Sequence, residues 1–526
     1  MSHLRDQHYT AWPLVEGYCG AQSYEAGAVV ELHASARCAT FAVVVSRVGA
    51  EPVEVWRREN CRADDHGVPA EAWAVGCDWP VAVAIPTEAS WPSGFYEVRM
   101  EADAPPARDD DRRGVAHAFF VLRPAPAAAS DRPLLVLGTN TWQAYNQWGG
   151  RCLYTGAHQV SFARPLERGY LWRPSAPGDV VYDGRVQPVG PVHDREHRQL
   201  QSYLADNDYP MWCASSGWHT YEHRFVRWAE RSGLPLDVAV SADLDDPARA
   251  AELLTGRRLL VSAGHDEYWS APMRDATDHF VDQGGNWAVF SGNTCFWQVR
   301  VADDGRSLVC HKGRARLDDP VAGTDQAHLL TSMWSDPLIG RPETSTIGLT
   351  FSRGGYHRVG DAVADGTGGY RVHRPEHWAF TGTGVVEGDL VGSDAQVVGY
   401  ETDGCALDWS TGQPVPTGVD GAPVHGEVLA TAPARLVSIT PERCEAPEAL
   451  WASVKPPGDL EGTAMVLFGG QWRERISEIE QGHAVMMTFS RGRGRVFNAG
   501  TTDWVFGLDT DPTVAAITRN VLRELG

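Results

Sequence analysis

The feature that most constrains this chain is a short apolar run, Leu259 to Ala263, that passes directly into Gly264-His-Asp-Glu-Tyr-Trp-Ser270 and then into a helical pattern. A buried-type strand that hands over to a helix through a tight turn is the building unit of an α/β sheet, and ligands bind at the carboxyl edge of such sheets. Ser270 suits the amino-terminal cap of the following helix, Pro272 its first turn and Gly284-Gly285 its stop. A His, an Asp, a Glu and a Tyr in succession on one turn are costly to crowd together, and a metal ion is the simplest use for their charge and lone pairs.

The same rhythm surrounds this stretch. Leu134 to Gly138 reads as a buried strand that delivers Thr139-Asn-Thr-Trp-Gln-Ala-Tyr145; His219 to Trp228 has helical spacing with Gly233 as a stop; Leu236 to Val240 is the next strand. Trp287 to Phe290 is a further strand ending in Ser291-Gly-Asn-Thr294. Parallel strands point the same way, so Tyr145, His265, Glu267 and Asn293 are predicted to share one edge. Near the end of the chain, Ala464 to Phe468, Ala484 to Phe489 and Arg495 to Ala499 read as strands, and Asp511-Pro512 opens a helix with Val514, Ile517, Val521 and Leu525 on one face.

Other segments have a different texture. Residues 14 to 123 carry short alternating runs between turn signals, as in antiparallel sandwiches, and Arg123-Pro-Ala-Pro-Ala-Ala-Ala-Ser130 has linker composition. From 302 to 454 the chain is Gly-rich with short strands. The expected organisation is α/β plus β: a β-sandwich over 1–124, a parallel-sheet domain over 132–301 and 455–526, and a β-rich insertion over 302–454. A length of 526 residues agrees with more than one domain.

Charge and composition exclude some partners. With 68 Asp and Glu against 46 Lys and Arg, the net charge of −22 argues against nucleic acid and anionic membranes, and solubility is its ordinary explanation. No apolar run approaches the roughly 18 residues of a membrane span, and the first residues carry no apolar signal core, so a cytoplasmic protein is expected. Ten cysteines without a CxxC pair indicate neither a zinc ribbon nor a redox motif.

The motifs TWQAYNQWGGRCLYTG (141–156), VSFARP (160–165), GHDEYWS (264–270), SGNTCFWQVR (291–300) and TTDWVFGL (501–508) resemble the large-subunit family of N,N-dimethylformamidase over roughly residues 130 to 526. The resemblance implies a class I glutamine-amidotransferase-like (flavodoxin-like) domain without the usual nucleophile elbow. It also implies a mononuclear ferric ion held by two tyrosines and a glutamate, hydrolysing a small amide without a covalent intermediate. Carried over by motif, the ligands are Tyr145, Glu267 and, for the second tyrosine, Tyr154, with Tyr170 and Tyr182 as alternatives. His265 and Asn293 match substrate- or ligand-orienting positions, and Glu401 in Gly399-Tyr-Glu-Thr-Asp-Gly404 matches the acid/base glutamate. A homo-oligomer is expected, and a separate small subunit is left open.

Hard oxygen donors suit a trivalent ion better than zinc, which prefers nitrogen and sulfur. Such an ion activates water and polarises a carbonyl, and Glu401 would relay the proton. Each residue has a blander reading. Tyr145 and Tyr154 can be packing, His265 and Glu267 can cap the helix after Ser270, Asn293 can tie down a glycine turn, Glu401 can be a surface acid, and Tyr268 is read as packing. Two rival functions are a thiol amidase using Cys295 near His265 and a noncatalytic carbohydrate binder using the 20 tryptophans as platforms. Trp142, Trp148, Trp269 and Phe296 are the expected pocket aromatics.

Overall fold

The computed structural model describes residues 13–103, 112–125, 131–173, 209–357, 367–437 and 458–526. Its amino-terminal part is two facing sheets. One has three strands, Val15–Cys19, Val29–Ala36 and Val81–Pro86; the other has five, in the order Ser23–Glu25, Val115–Arg123, Gly94–Ala102, Phe41–Val48 and Pro52–Cys61. Alternation decides what fills the space between them. Val30, Leu32, Val43, Val45, Val98 and Phe120 point inward into one apolar core. Phe95 and Phe119 point the other way and meet Trp218 and Trp142 of the α/β part, with Phe95 stacked on Trp218 at 4.0 Å between ring centroids.

The central sheet has nine strands. Five run parallel in the order Asp237–Val240, Leu134–Leu137, Leu259–His265, Asn286–Gly292 and Gly494–Asn498. Beyond them Gly482–Arg491, Glu427–Ala434, Tyr370–Val372 and Leu390–Val391 add antiparallel. The parallel strands are buried along their length, as expected when both faces are covered. The caps foreseen for two helices are in place: Ser270 accepts from the Met273 N–H at the start of Ala271–Asp282, and Asp511 accepts from Thr513 and Val514 at the start of Pro512–Leu525. The helix expected at His219 to Trp228 runs Glu222–Arg231.

Two expectations differ from the structure. Ala464 to Phe468, read as a strand, is the second half of a helix, Asp459–Phe468. Asp459 and Glu461 sit in its first turn, where they suit the helix dipole, and Ala, Met, Leu and Phe tolerate a helix. Segment 302–454, read as a separate insertion, supplies three strands to the central sheet itself. A smaller four-stranded sheet, ordered Gln159–Ser161, Ser307–Val309, Trp297–Ala302 and Tyr268–Ser270, lies at the carboxyl edge.

Two glycines permit the close packing at that edge. Gly264 has φ +82°, and a Cβ there would lie 2.2 Å from Tyr221 Cβ. At Gly292 a Cβ would lie 2.7 Å from the Glu401 carbonyl oxygen, so the Asn293 turn and the Glu401 segment are in direct contact. No helix among the described residues is long and apolar enough to cross a membrane.

Candidate functional site

Tyr145 is the last residue of the helix Thr139–Tyr145, which follows the carboxyl end of strand Leu134–Leu137, and Glu267 follows strand Leu259–His265. Tyr154 enters from the loop after the helix. Its hydroxyl is 2.7 Å from the Tyr145 hydroxyl and 2.8 and 2.9 Å from the two carboxylate oxygens of Glu267. Tyr268 donates to Tyr154 at 3.0 Å, and Trp297 Nε1 donates to Glu267 Oε1 at 2.7 Å. The Glu267 N–H is held by Thr141 Oγ1 at 2.9 Å, which fixes the turn against the first helix.

The second half of the site adjoins the first. His265 Nε2 lies 2.8 Å from Glu401 Oε2 and 3.4 Å from Glu267 Oε2. Its Nδ1 faces the Ser215 carbonyl at 2.7 Å, which can only accept, so the proton on that nitrogen is assigned. Asn293 donates from Nδ2 to Glu401 Oε2 at 3.3 Å, with Asn293 itself in the left-handed region at φ +50°. His265 and Asn293, expected to face a substrate or a ligand, thus both contact Glu401.

Burial governs the electrostatics. It disfavours the charged His265 ring, but the Glu401 and Glu267 carboxylates outweigh it and push the ring up to about 9, so imidazolium is the neutral-pH form. Burial raises the Glu267 carboxyl and holds the Tyr145, Tyr154 and Tyr268 phenols well above their ordinary range. Lys312 is a group that sequence reasoning missed. Its ammonium stands 3.1 Å from the centroid of the Tyr154 ring, and burial lowers its affinity for the proton while Glu267 opposes that.

The remaining expectations sort by geometry. Tyr170 donates its hydroxyl to the Tyr145 carbonyl at 2.8 Å and so turns away from the cluster; Tyr182 lies outside the described residues. Asp266 accepts from Ser262 at 3.2 Å and is pushed up to about 6 by burial, a structural placement. Tyr268, read as packing, is in hydrogen-bond contact with Tyr154. Cys295 is fully buried among core side chains that include Trp269 and Trp287, and burial holds its thiol protonated. That placement does not suit an accessible nucleophile.

Of the expected pocket aromatics, only Phe296 stands beside a site residue, 4.8 Å from Trp297. Trp142 binds Glu222, Trp148 binds Glu16 of the sandwich, and Trp269 binds the Asp266 carbonyl. Trp212 is the nearer wall, 5.2 Å from Tyr154 and 5.9 Å from Tyr145 between centroids. Tyr400 adds an edge contact to His265 at 6.0 Å and packs on Tyr356 at 6.4 Å. Trp172 and Trp409 are the large exposed indoles among the described residues, which leaves little for an aromatic sugar platform.

The donor chemistry is the test of fit for a ferric ion. Among the described residues no group of three or more His, Cys, Asp and Glu side chains could hold an ion, so a metal here depends on the phenols. Tyr154 has one proton and faces the Tyr145 hydroxyl and both oxygens of Glu267 within 2.9 Å. Two phenols and a carboxylate this close are a hard-oxygen set, and they fit that ion better than zinc or copper.

Fold and site together define an α/β protein with a tyrosine-rich oxygen cluster at the carboxyl edge of its sheet. The family model described as "N,N-dimethylformamidase beta subunit-like, C-terminal" matches residues 42–517, and the chain belongs to this family. The match begins inside the sandwich, well before residue 130, where the recognisable motifs start. The chain is 28% identical over 369 residues to the N,N-dimethylformamidase beta subunit of Alcaligenes sp, covering 61% of this chain and 43% of that protein. It therefore spans less than half the length of that curated relative.

Proposed function

We propose that the chain is an iron-dependent amidohydrolase that cleaves the C–N bond of a small N-substituted formamide with water. The observation that carries this reading is the cluster itself: Tyr154 within 2.9 Å of Tyr145 and Glu267, with Glu401 held beside it by His265 and Asn293. Tyr145, Tyr154 and Glu267 would hold a mononuclear ferric ion, which when bound supplies a Lewis acid that lowers the pKa of water and polarises the amide carbonyl.

The chain's own groups account for the proton movements. Glu401 Oε2 sits between His265 Nε2 and Asn293 Nδ2, a fixed position for a carboxylate that must accept a proton from the attacking water. The water oxygen bonds to the carbonyl carbon, the C–N bond breaks, and Glu401 returns the proton to the leaving nitrogen, giving a carboxylic acid and an amine. His265, positively charged, keeps Glu401 aimed. Trp212, Trp297, Tyr356 and Tyr400 form an aromatic surround that suits small apolar N-substituents.

The parallel strands followed by helices, and the burial of Cys295, support a glutamine-amidotransferase-like domain without a working nucleophile elbow. The relative's designation as a beta subunit supports an assembly with a separate subunit. The direct test is the iron content of the purified protein together with hydrolysis of a panel of N-alkyl formamides and acetamides. Tyr145→Phe and Glu267→Gln should each lose iron, and hydrolysis should fall by about 10- to 100-fold or more. Full iron and full activity in either variant would sink the reading.

A further inference from the structure

We infer that Tyr268 is a positioning residue for Tyr154, supplying the hydrogen bond that orients its phenolate once an ion is held; this rests on the iron reading above. The short strand Tyr268–Ser270 pairs in parallel with Trp297–Ala302, and the register sets Tyr268 opposite Trp297. Register partners project to the same side of a sheet. The pair therefore sends two donors into the site from one place: Tyr268 to the Tyr154 hydroxyl at 3.0 Å and Trp297 Nε1 to Glu267 Oε1 at 2.7 Å. Each candidate ligand from the loop and the turn thus receives its own donor.

Proton counting makes Tyr268 distinct from its neighbours. With every phenol neutral there are three protons: Tyr268 gives its own to Tyr154, Tyr154 directs its own at Tyr145 and Glu267, and Tyr145 carries the third. Ionising Tyr145 and Tyr154 removes two of these protons and leaves that of Tyr268 alone, already aimed at Tyr154. A donor to an anionic oxygen makes a bond roughly twice as strong as the neutral one. Tyr268 is fully buried, with Tyr154 as the acceptor of its hydroxyl and with the Lys312 ammonium 5.3 Å from its ring, so no water is needed to complete the arrangement. Outer partners of this kind fix ligand orientation in metal sites.

The test is Tyr268→Phe in the full iron-loaded chain, read by iron stoichiometry and by the tyrosinate-to-iron charge-transfer band. Loss of a hydrogen bond raises the energy of the phenolate electrons, so the band should move to longer wavelength with about one iron still bound and affinity reduced about tenfold. Trp297→Phe, which touches the carboxylate, should leave the band in place. In the unaltered protein the phenolate C–O stretch should shift between H2O and D2O, a readout that does not depend on the variant folding. An unmoved band at full iron, a stretch blind to deuterium, or loss of iron in Tyr268→Phe with Tyr154→Phe still loaded would each overturn the inference. A parent protein that takes up no iron would instead remove the iron reading on which it rests.

Discussion

Two buried polar clusters flank the helix Ala271–Asp282, and they are built on opposite plans. On one side Arg274, fully buried, gives its protons to the carbonyls of Arg341 at 2.7 Å and Pro342 at 3.1 Å and to Thr346 Oγ1 at 2.6 Å, with its guanidinium 4.2 Å over Trp334. Every contact ends on backbone, a hydroxyl or a ring held elsewhere. On the other side, before the helix begins, Tyr145, Tyr154, Glu267, His265 and Glu401 face one another. A charge tied to fixed acceptors is a structural device. Groups that converge on each other, with phenols that burial keeps protonated, are arranged for something that enters.

The comparison is broken most severely if Glu401 turns out to be part of the structural class. Glu401→Gln keeps the shape and an acceptor for His265 and Asn293 but cannot take a proton. The turnover number on the best amide should fall by about 100- to 10,000-fold while iron content and melting temperature stay near the parent values. A variant that loses stability and keeps its rate would reassign Glu401 to a holding role.

Arg274 should behave in the reverse way. Arg274→Met leaves two carbonyls and Thr346 without their donor in a dry place, and the cost is about 3 kcal/mol. Denaturant unfolding should show that loss, whereas iron per folded chain and turnover should be unchanged. A fall in turnover out of proportion to the folded fraction would show that the two clusters communicate through the helix between them.

The same contrast explains what was legible in the sequence. Strands such as Leu259–His265 and Asn286–Gly292, and helices capped by Ser270 and Asp511, carry their signals locally, so their places could be read. Topology then brought Tyr145, His265, Glu267 and Asn293 to one edge, because parallel strands share a direction. Ala464 to Phe468 could not be read the same way, since five apolar residues do not distinguish a strand from half a helix, and the acidic first turn lay outside the run. Lys312 and Trp212 reach the site only through tertiary packing. Tyr268 was misread because alternation was applied to a turn, whereas a new short strand begins there and is set by its pairing with Trp297. Arg274 had no sequence signal as a buried charge, because its acceptors are backbone carbonyls and hydroxyls rather than a carboxylate.

A third buried acid sharpens the division with a smaller effect. Glu222 opens the helix Glu222–Arg231, accepts from Trp142 Nε1 at 2.9 Å, and is pushed up to about 8 by burial. Unlike Glu401 it has no imidazolium beside it; the Trp142 indole and the backbone N–H groups of Glu222 and Gly138 favour its charge, but burial outweighs them and Asp266 nearby adds to the upward shift. The folded state thus binds this proton more tightly than the unfolded chain, whose glutamates titrate near 4.3. Stability from this group is therefore full below about 4.3, declines as pH rises toward 8, and is level once the folded carboxyl has ionised. Glu222→Gln cannot ionise, so the melting temperature of the variant relative to the parent should rise between pH 5 and pH 8, by about 3 °C or more. The gap should then stop growing above that range. Parallel melting curves across the series would mean that the parent holds Glu222 ionised through an interaction as specific as those of the site.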